Sequence, residues 1–153
     1  MADNKYEYYI SKGINNAKNK NLNEAKTDII NAKKINNKDP KSYINLSNLY
    51  LIQNDENKAL KLLYEYLQNI KLDERAFEYF EKISTHFKNY NYLNKLFKYK
   101  KINKYSINPE RYLIFYSYAN HLEKNNLYKE AIKNYEKSIK CNKNFIKSYL
   151  CIF

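Results

Sequence analysis

The chain has 153 residues, a size that fits one domain with a continuous core. One Gly, two Pro and two Cys argue against a β-hairpin protein and a disulfide framework, and no apolar run reaches the ~18 residues of a membrane span. The opening residues, MADNKYEYY, resemble neither a signal peptide nor an Arg-rich transit peptide, so we expect a cytoplasmic or nuclear chain.

The formal net charge of +12 comes almost entirely from lysine, because Arg75 and Arg111 are the only arginines. Surfaces that bind phosphate usually recruit Arg for its bidentate fork. Two interpretations therefore remain open. The charge reflects a codon bias that also enriches Asn, Tyr and Ile, or it marks an anion-binding surface.

Apolar side chains at three- and four-residue spacing predict helices over most of the chain, beginning with residues 4–18 and 22–35. Gly13, the only glycine, falls in the middle of the first helix, where it costs about 1 kcal/mol relative to Ala. We therefore expect a packing reason for a glycine at this position.

Two steps in which an Asp or Asn precedes a proline mark later helix starts. Asp39-Pro40 and Asn108-Pro109 each offer a capping side chain followed by a proline in the first turn, where its missing N–H does no harm. Asp73 is a third predicted cap. The later helices are predicted at residues 40–53, 56–70, 74–87, 92 onward, 109–124, 128–141 and 146–153.

Two ladders of residues recur at a fixed distance along these helices. One consists of small or apolar residues: Ala25, Ala59, Leu93 and Ala131. The other consists of the aromatic residues Tyr9, Tyr43, Phe77, Phe115 and Tyr149. Each of the first four precedes a residue of the first ladder by 16 positions. The spacing is 34 residues except in the third interval, where both ladders take 38. The four extra residues lie within residues 98–110, in a longer helix or in a longer loop.

A period of 34 residues with two helical stripes resembles the tetratricopeptide repeat (TPR). The family pattern reads best in the second unit, as Tyr43, Leu46, Ser47, Tyr50, Ala59 and Leu63. The resemblance implies an all-α fold, an α-solenoid of antiparallel helix pairs in a single domain. The units would be residues 6–39, 40–73, 74–111 and 112–145, followed by a terminal helix at 146–153.

The resemblance also implies a concave groove, lined by the first helix of each unit, that binds a peptide of a partner protein. The positions that it assigns to this groove are Glu7, Ile10, Ile14, Lys41, Ile44, Asn45, Asn48, Arg75, Glu78, Tyr79, Lys82, Tyr116 and Asn120. An Asn side chain both donates and accepts, which suits a peptide backbone. Among the positions that form a chaperone-type carboxylate clamp in some family members, only Asn45 matches, so we do not expect a clamp.

No constellation of catalytic or metal-binding residues accompanies the repeat. His86 and His121 lack metal-ligand spacing, Cys141 and Cys151 are expected to be small core residues, and one glycine cannot build a phosphate-binding loop. We therefore expect no enzyme, no cofactor and no metal, but a protein-interaction scaffold or adaptor.

Two other functions remain open at this stage. The charge and the many tyrosines would suit an RNA-binding helical repeat. The apolar residues Leu150, Ile152 and Phe153 would suit continuation into a longer repeat array, capping of the fourth unit, or self-association.

Overall fold

The computed structural model describes residues 2–152. Within that range the chain forms nine α-helices: α1 (Ala2–Lys18), α2 (Leu22–Ile35), α3 (Pro40–Ile52), α4 (Glu56–Asn69), α5 (Glu74–His86), α6 (Asn91–Tyr99), α7 (Tyr112–Lys124), α8 (Tyr128–Cys141) and α9 (Ile146–Leu150). Two short 3-10 helices, Ile102–Lys104 and Pro109–Arg111, stand between α6 and α7. The described residues include no β-strand, and the all-α prediction is confirmed.

The chain divides into two compact units, Met1–Asn89 and Tyr90–Phe153. The division falls inside residues 74–111, predicted as the third repeat, so α5 belongs to the first unit and α6 to the second. The predicted single domain and its repeat boundaries stay a prediction.

The first unit is built on the antiparallel pairs α1/α2 and α3/α4. The small residues of the predicted ladder lie at the closest approaches: Ala25 and Ala59 are both fully buried. Ser47 Oγ on α3 donates to the carbonyl of Ala59 on α4 at 3.3 Å. A Cβ on Gly13 would lie 2.5 Å from Ile29 Cδ1 and 3.2 Å from the carbonyl oxygen of Ala25, so the expected packing reason for this glycine is confirmed.

The second unit is built on the antiparallel pair α7/α8. Its ladder residues Phe115 and Ala131 are buried, and Ser138 Oγ on α8 donates to the carbonyl of Tyr112 at 2.7 Å. The short helix α9 packs on α8 through Ser148, whose hydroxyl lies 2.9 Å from that of Ser138. Small hydroxyl-bearing residues thus let these helices approach closely while their polar atoms stay hydrogen-bonded.

The three predicted caps are present. Asp39 accepts from the backbone N–H of Lys41, Asp73 from those of Arg75 and Ala76, and Asn108 from that of Glu110. Two predicted boundaries are wrong. The cap at Asn108 opens the 3-10 turn Pro109–Arg111, and α7 begins only at Tyr112. Helix α9 ends at Leu150, because the backbone turns at Cys151 and Ile152. The predicted helical residue Phe153 lies outside the described residues.

The four extra residues of the third interval lie in the connection and not in a longer helix. Helix α6 ends at Tyr99 after only nine residues, and the chain then runs through the 3-10 turn Ile102–Lys104. Ile102 is fully buried and anchors this connection to the second unit.

Candidate binding grooves

Helices α1 and α3 enclose an open groove of about 550 Å³ in the first compact unit. Its floor and walls are largely apolar, with Ile14 and Ile52 exposing 36% and 56% of their surface. The groove is lined by Gly13, Ile14, Ala17, Lys18, Ile29, Asn45, Asn48, Leu49, Leu51 and Ile52. Three residues of the predicted groove, Ile14, Asn45 and Asn48, therefore meet in one concave site.

The two asparagines of this groove each retain one unengaged polar atom. Asn45 Nδ2 donates to the carbonyl of Lys41 at 2.8 Å, and Asn48 Oδ1 accepts from the hydroxyl of Tyr79. Within residues 2–152 no protein group engages Asn45 Oδ1 or Asn48 Nδ2. The two residues are three positions apart on α3 and so share one helix face. The lining of the groove therefore includes one unengaged acceptor and one unengaged donor from neighbouring positions of α3.

Tyr79 acts on this groove through Asn48. Its ring is half-buried on α5, and burial raises the pKa of its hydroxyl, which stays protonated at neutral pH. The hydroxyl donates to Asn48 Oδ1, which fixes the amide with its Nδ2 group unpaired. Tyr79 is therefore a positioning residue for Asn48.

The remaining predicted residues of the first unit have different surroundings. Lys41 Nζ on α3 forms an ion pair with Glu7 Oε1 on α1 at 2.7 Å, and Ile44 is half-buried. On α5, Arg75 Nε lies 3.5 Å from Asp73 Oδ1, while Glu78 and Lys82 are exposed.

Ile10 is a correction to the predicted groove. Its side chain is only 4% exposed and packs in the core with Tyr6 and Ile29. Tyr6, Ile10 and Gly13 follow one another at helical spacing on the face of α1 that meets the core, whereas Ile14 lies at the edge of that face. Ile10 therefore offers no surface to a partner.

Tyr116 and Asn120 belong to the second compact unit, and other side chains of that unit already hold them. Asn120 Oδ1 accepts from the hydroxyl of Tyr135 at 2.7 Å. The ring of Tyr116 meets Phe145 edge to face, with centroids 5.0 Å apart, and lies 5.9 Å from the ring of Tyr135.

A second groove, not predicted from the sequence, lies in the second compact unit between α6 and α7. Its volume is about 700 Å³, and it is lined by Asn94, Lys95, Phe97, Lys98, Tyr118, His121, Leu122, Lys124, Asn125 and Leu127. His121 is half-buried in it, with Nδ1 at 3.1 Å from Asn94 Oδ1. Burial, and then the nearby Lys124 ammonium, lower the pKa of this imidazole. The lysines near residue 98 could have suggested an anion-binding site from the sequence. Only the packing of α6 on α7 shows that some of them line a groove.

The cysteines and the acidic residues offer no metal site among the described residues, where no group of three potential ligands converges. Cys141 is buried and burial raises the pKa of its thiol, as suits a core residue. Cys151 was also expected to be a core residue, but it is exposed because the backbone turns out of α9 at this position.

Residues 2–152 contain no helix that is both long enough and apolar enough to cross a bilayer.

The repeat is also visible in the backbone. The only non-glycine residues with positive φ among the described ones are Lys20, Asn54, Lys88 and Asn126, spaced by 34, 34 and 38 residues. Each follows the first helix of a predicted unit. One residue later, a backbone N–H bonds to the carbonyl five positions earlier, as in Asn21 to Asn16 and Leu127 to Leu122. This is the Schellman ending of a helix, repeated four times at the period of the sequence ladders.

No protein-family model matches the chain, and no curated protein matches it in sequence. The chain resembles a solved structure from a functional characterization of PilF of Pseudomonas aeruginosa. The likeness covers 99% of this chain and 67% of that chain, with a TM-score of 0.61 and 18% identity. At this identity it shows the fold alone. The paired helices, the repeated turn and this likeness define an all-α helical-repeat protein.

Proposed function

We propose that this chain is a non-catalytic protein-interaction module of the TPR type, which binds a peptide segment of a partner protein in the groove between α1 and α3. One observation carries the proposal: Asn45 and Asn48 both line this largely apolar groove, and each keeps one polar side-chain atom without a hydrogen-bond partner within residues 2–152. Polar atoms in such a position are those that a peptide backbone satisfies with its own N–H and C=O groups.

The lining of the groove defines how the peptide binds. A backbone N–H of the peptide donates to Asn45 Oδ1, and a backbone carbonyl accepts from Asn48 Nδ2. An apolar side chain of the same peptide covers Ile14, Ala17 and Ile52. Each of the two hydrogen bonds contributes about 0.5–1.5 kcal/mol net, so the apolar contact carries a comparable share of the affinity.

RNA binding through the tyrosines is not favoured by a specific contact. Bases stack on free aromatic faces, but several tyrosine rings already carry a lysine ammonium over the ring. The distances to the centroids are 4.9 Å for Lys26 over Tyr50, 4.6 Å for Lys33 over Tyr43 and 5.0 Å for Lys124 over Tyr90. We therefore include RNA in the test only as a competitor of the peptide.

Self-association has a weaker basis than the groove. Ile146 and Leu150 expose 69% and 75% of their surface on α9, but nothing in the described residues covers them. Solution mass at increasing concentration separates this behaviour from peptide binding. The cytoplasmic or nuclear location stays a prediction.

The test begins with peptides selected on the immobilised chain from a random phage-displayed library, with RNA present as competitor. Titration calorimetry then compares the wild type with the Asn45→Ala/Asn48→Ala variant. Asn15→Ala/Asn69→Ala is the matched control, because both asparagines are exposed, lie in the same unit and stand outside the groove. We expect the first variant to lose about tenfold or more in affinity, the equivalent of about 1.4 kcal/mol, and the control to bind like the wild type. Equal affinity of all three proteins would place the site elsewhere.

A further inference from the structure

The positive charge of the chain is concentrated in its second compact unit. Residues 90–153 contain thirteen Lys and Arg against four Glu, whereas residues 1–89 contain fifteen against twelve acidic residues. The second unit therefore carries nine of the twelve net positive charges in fewer than half of the residues. The two units have similar shares of Lys and Arg, but the second unit has fewer acidic residues to balance them, so it favours an anionic partner.

Three of these lysines stand around the groove between α6 and α7. Lys95 and Lys98 come from α6, and Lys124 comes from the end of α7. All three are exposed, and none forms an ion pair with a carboxylate of the described residues. Each ammonium lies over an aromatic ring: Lys95 at 5.2 Å from the centroid of Tyr92, Lys98 at 5.8 Å from that of Tyr99, and Lys124 at 5.0 Å from that of Tyr90.

Aromatic rings form the base of this groove. The rings of Tyr118 and His121 are nearly parallel with centroids 6.4 Å apart, and the ring of Phe97 lies 5.4 Å from that of His121. Asn125 Nδ2 donates to the carbonyl of His121 at 2.6 Å. Leu122 is buried beneath, while Leu127 exposes 47% of its surface at the rim.

We propose that the groove between α6 and α7 binds an acidic peptide segment of a partner protein. Its carboxylates pair with Lys95, Lys98 and Lys124, and an apolar side chain between them covers Leu127. This site is separate from the groove of the first unit and does not depend on it.

The same contacts favour a peptide over the other anionic partners. The rings of Tyr90, Tyr92 and Tyr99 each have a lysine ammonium over one face, which competes with a nucleobase for that face. Lysine without arginine gives point charges and no bidentate phosphate fork. A membrane surface needs a protruding apolar face, whereas these side chains line a concavity.

The probe is a fluorescein-labelled peptide of repeated Leu-Glu-Glu, and its binding is followed by anisotropy at physiological salt. The test variant is Lys95→Gln/Lys98→Gln/Lys124→Gln. The matched control is Lys129→Gln/Lys140→Gln/Lys143→Gln, which removes the same charge from exposed positions of the same unit outside the groove. Circular dichroism checks that both variants keep their helices. A second pair, Leu127→Ser and Ile146→Ser, compares an exposed apolar residue in the groove with one outside it.

We expect the groove variant to lose about tenfold or more in affinity and the charge-matched control to lose less than about threefold, since close charge pairs contribute more than distant ones. Leu127→Ser should weaken binding and Ile146→Ser should not. A peptide of repeated Leu-Gln-Gln should bind no variant measurably.

Four outcomes overturn the proposal. Equal losses in the two lysine variants would reduce the effect to diffuse charge. Tighter, groove-dependent binding of poly-uridine would make the site one for nucleic acid, and tighter binding to phosphatidylserine vesicles would make it a membrane contact. Absence of binding by the wild type would exclude the site outright.

Discussion

Gly13 is the residue on which the first helix pair depends most directly. It lies mid-helix, where alanine is intrinsically better by about 1 kcal/mol, but a Cβ there would lie 2.5 Å from Ile29 Cδ1. Forcing an extra methyl into a packed interface costs typically about 1–3 kcal/mol. We expect Gly13→Ala to lower the free energy of unfolding by about 1 kcal/mol, measured by urea denaturation followed by circular dichroism.

The Ile29→Ala background isolates the cause of that loss. Ile29→Ala alone costs about 2–5 kcal/mol, but it removes the atoms that Gly13→Ala would meet. In that background Gly13→Ala should be neutral or stabilising, because only the helix preference of alanine remains. A loss of the same size in both backgrounds would show that contact with Ile29 is not the reason for the glycine.

His121 makes the stability of the chain depend on pH. Burial and Lys124 lower the pKa of its imidazole in the folded chain below the usual value of about 6.5. The unfolded chain then binds the proton more tightly, so stability falls as the pH drops through and below that usual value. We expect the free energy of unfolding to decrease from roughly pH 7.5 to pH 5.5, and the slope to be shallower in His121→Gln. Parallel slopes in the two proteins would assign the dependence to other groups.

At the residue scale, the sequence identified Gly13 and the caps but misplaced Ile10. A mid-helix glycine and an Asp before Pro each have one dominant physical explanation. Ile10 and Ile14, by contrast, are four apart on one helix, and periodicity alone does not say which of them meets the core and which lies at the edge of a groove.

The helix ends carry the clearest structural sign of the repeat. Lys20, Asn54, Lys88 and Asn126 adopt φ between 52° and 64°, and none of the four is a glycine or is followed by one. Left-handed backbone costs an ordinary L-residue roughly 1–2 kcal/mol, whereas glycine, and to a lesser degree asparagine, adopts it readily. A change to glycine removes this cost but also adds freedom to the unfolded chain, which offsets part of the gain. The turns at Lys20 and Lys88 are therefore formed against local preference.

Lys20→Gly tests this interpretation. We expect it to raise the free energy of unfolding by about 0.5–1 kcal/mol, because the turn needs positive φ and the side chain is exposed. Lys61→Gly, on an exposed position inside α4, is the control and should lower it by about 1 kcal/mol. Thermal and urea unfolding of both variants measure the difference. A loss at both positions would mean that the turn does not require left-handed backbone.

At the element scale, the starts of the capped helices α3, α4 and α5 agree with the prediction, and their ends differ by one residue. Helices α2 and α8 agree at both ends without a capping side chain, so the spacing of their apolar residues was sufficient. The start of α7 did not follow, because Asn108-Pro109 is equally compatible with a 3-10 turn, and local sequence does not separate the two.

At the scale of the whole molecule, the division into two compact units and the uneven charge are properties that the period alone did not reveal. The repeat assigns α5 and α6 to one unit, whereas they fall in different compact units of the structure. The groove between α6 and α7 was missed because it depends on the packing of α6 against α7.

The uneven charge predicts an uneven response to salt. Like charges in the second unit repel one another, and added salt screens that repulsion. We expect native-state hydrogen exchange to show a larger rise in protection for α8 than for α4 when salt is raised from low to physiological concentration. Equal changes in the two helices would indicate that the charges of residues 90–153 do not act on their own unit.

The most direct test of the account is a nuclear magnetic resonance titration of the isotope-labelled chain with the tightest peptide selected on it. The account predicts that the Asn45 and Asn48 side-chain amides and the Ile14 and Ile52 methyl groups shift most. Contacts between peptide and protein should be detected at these same groups. Shifts confined to residues outside this groove would contradict the central claim that the chain binds its partner between α1 and α3.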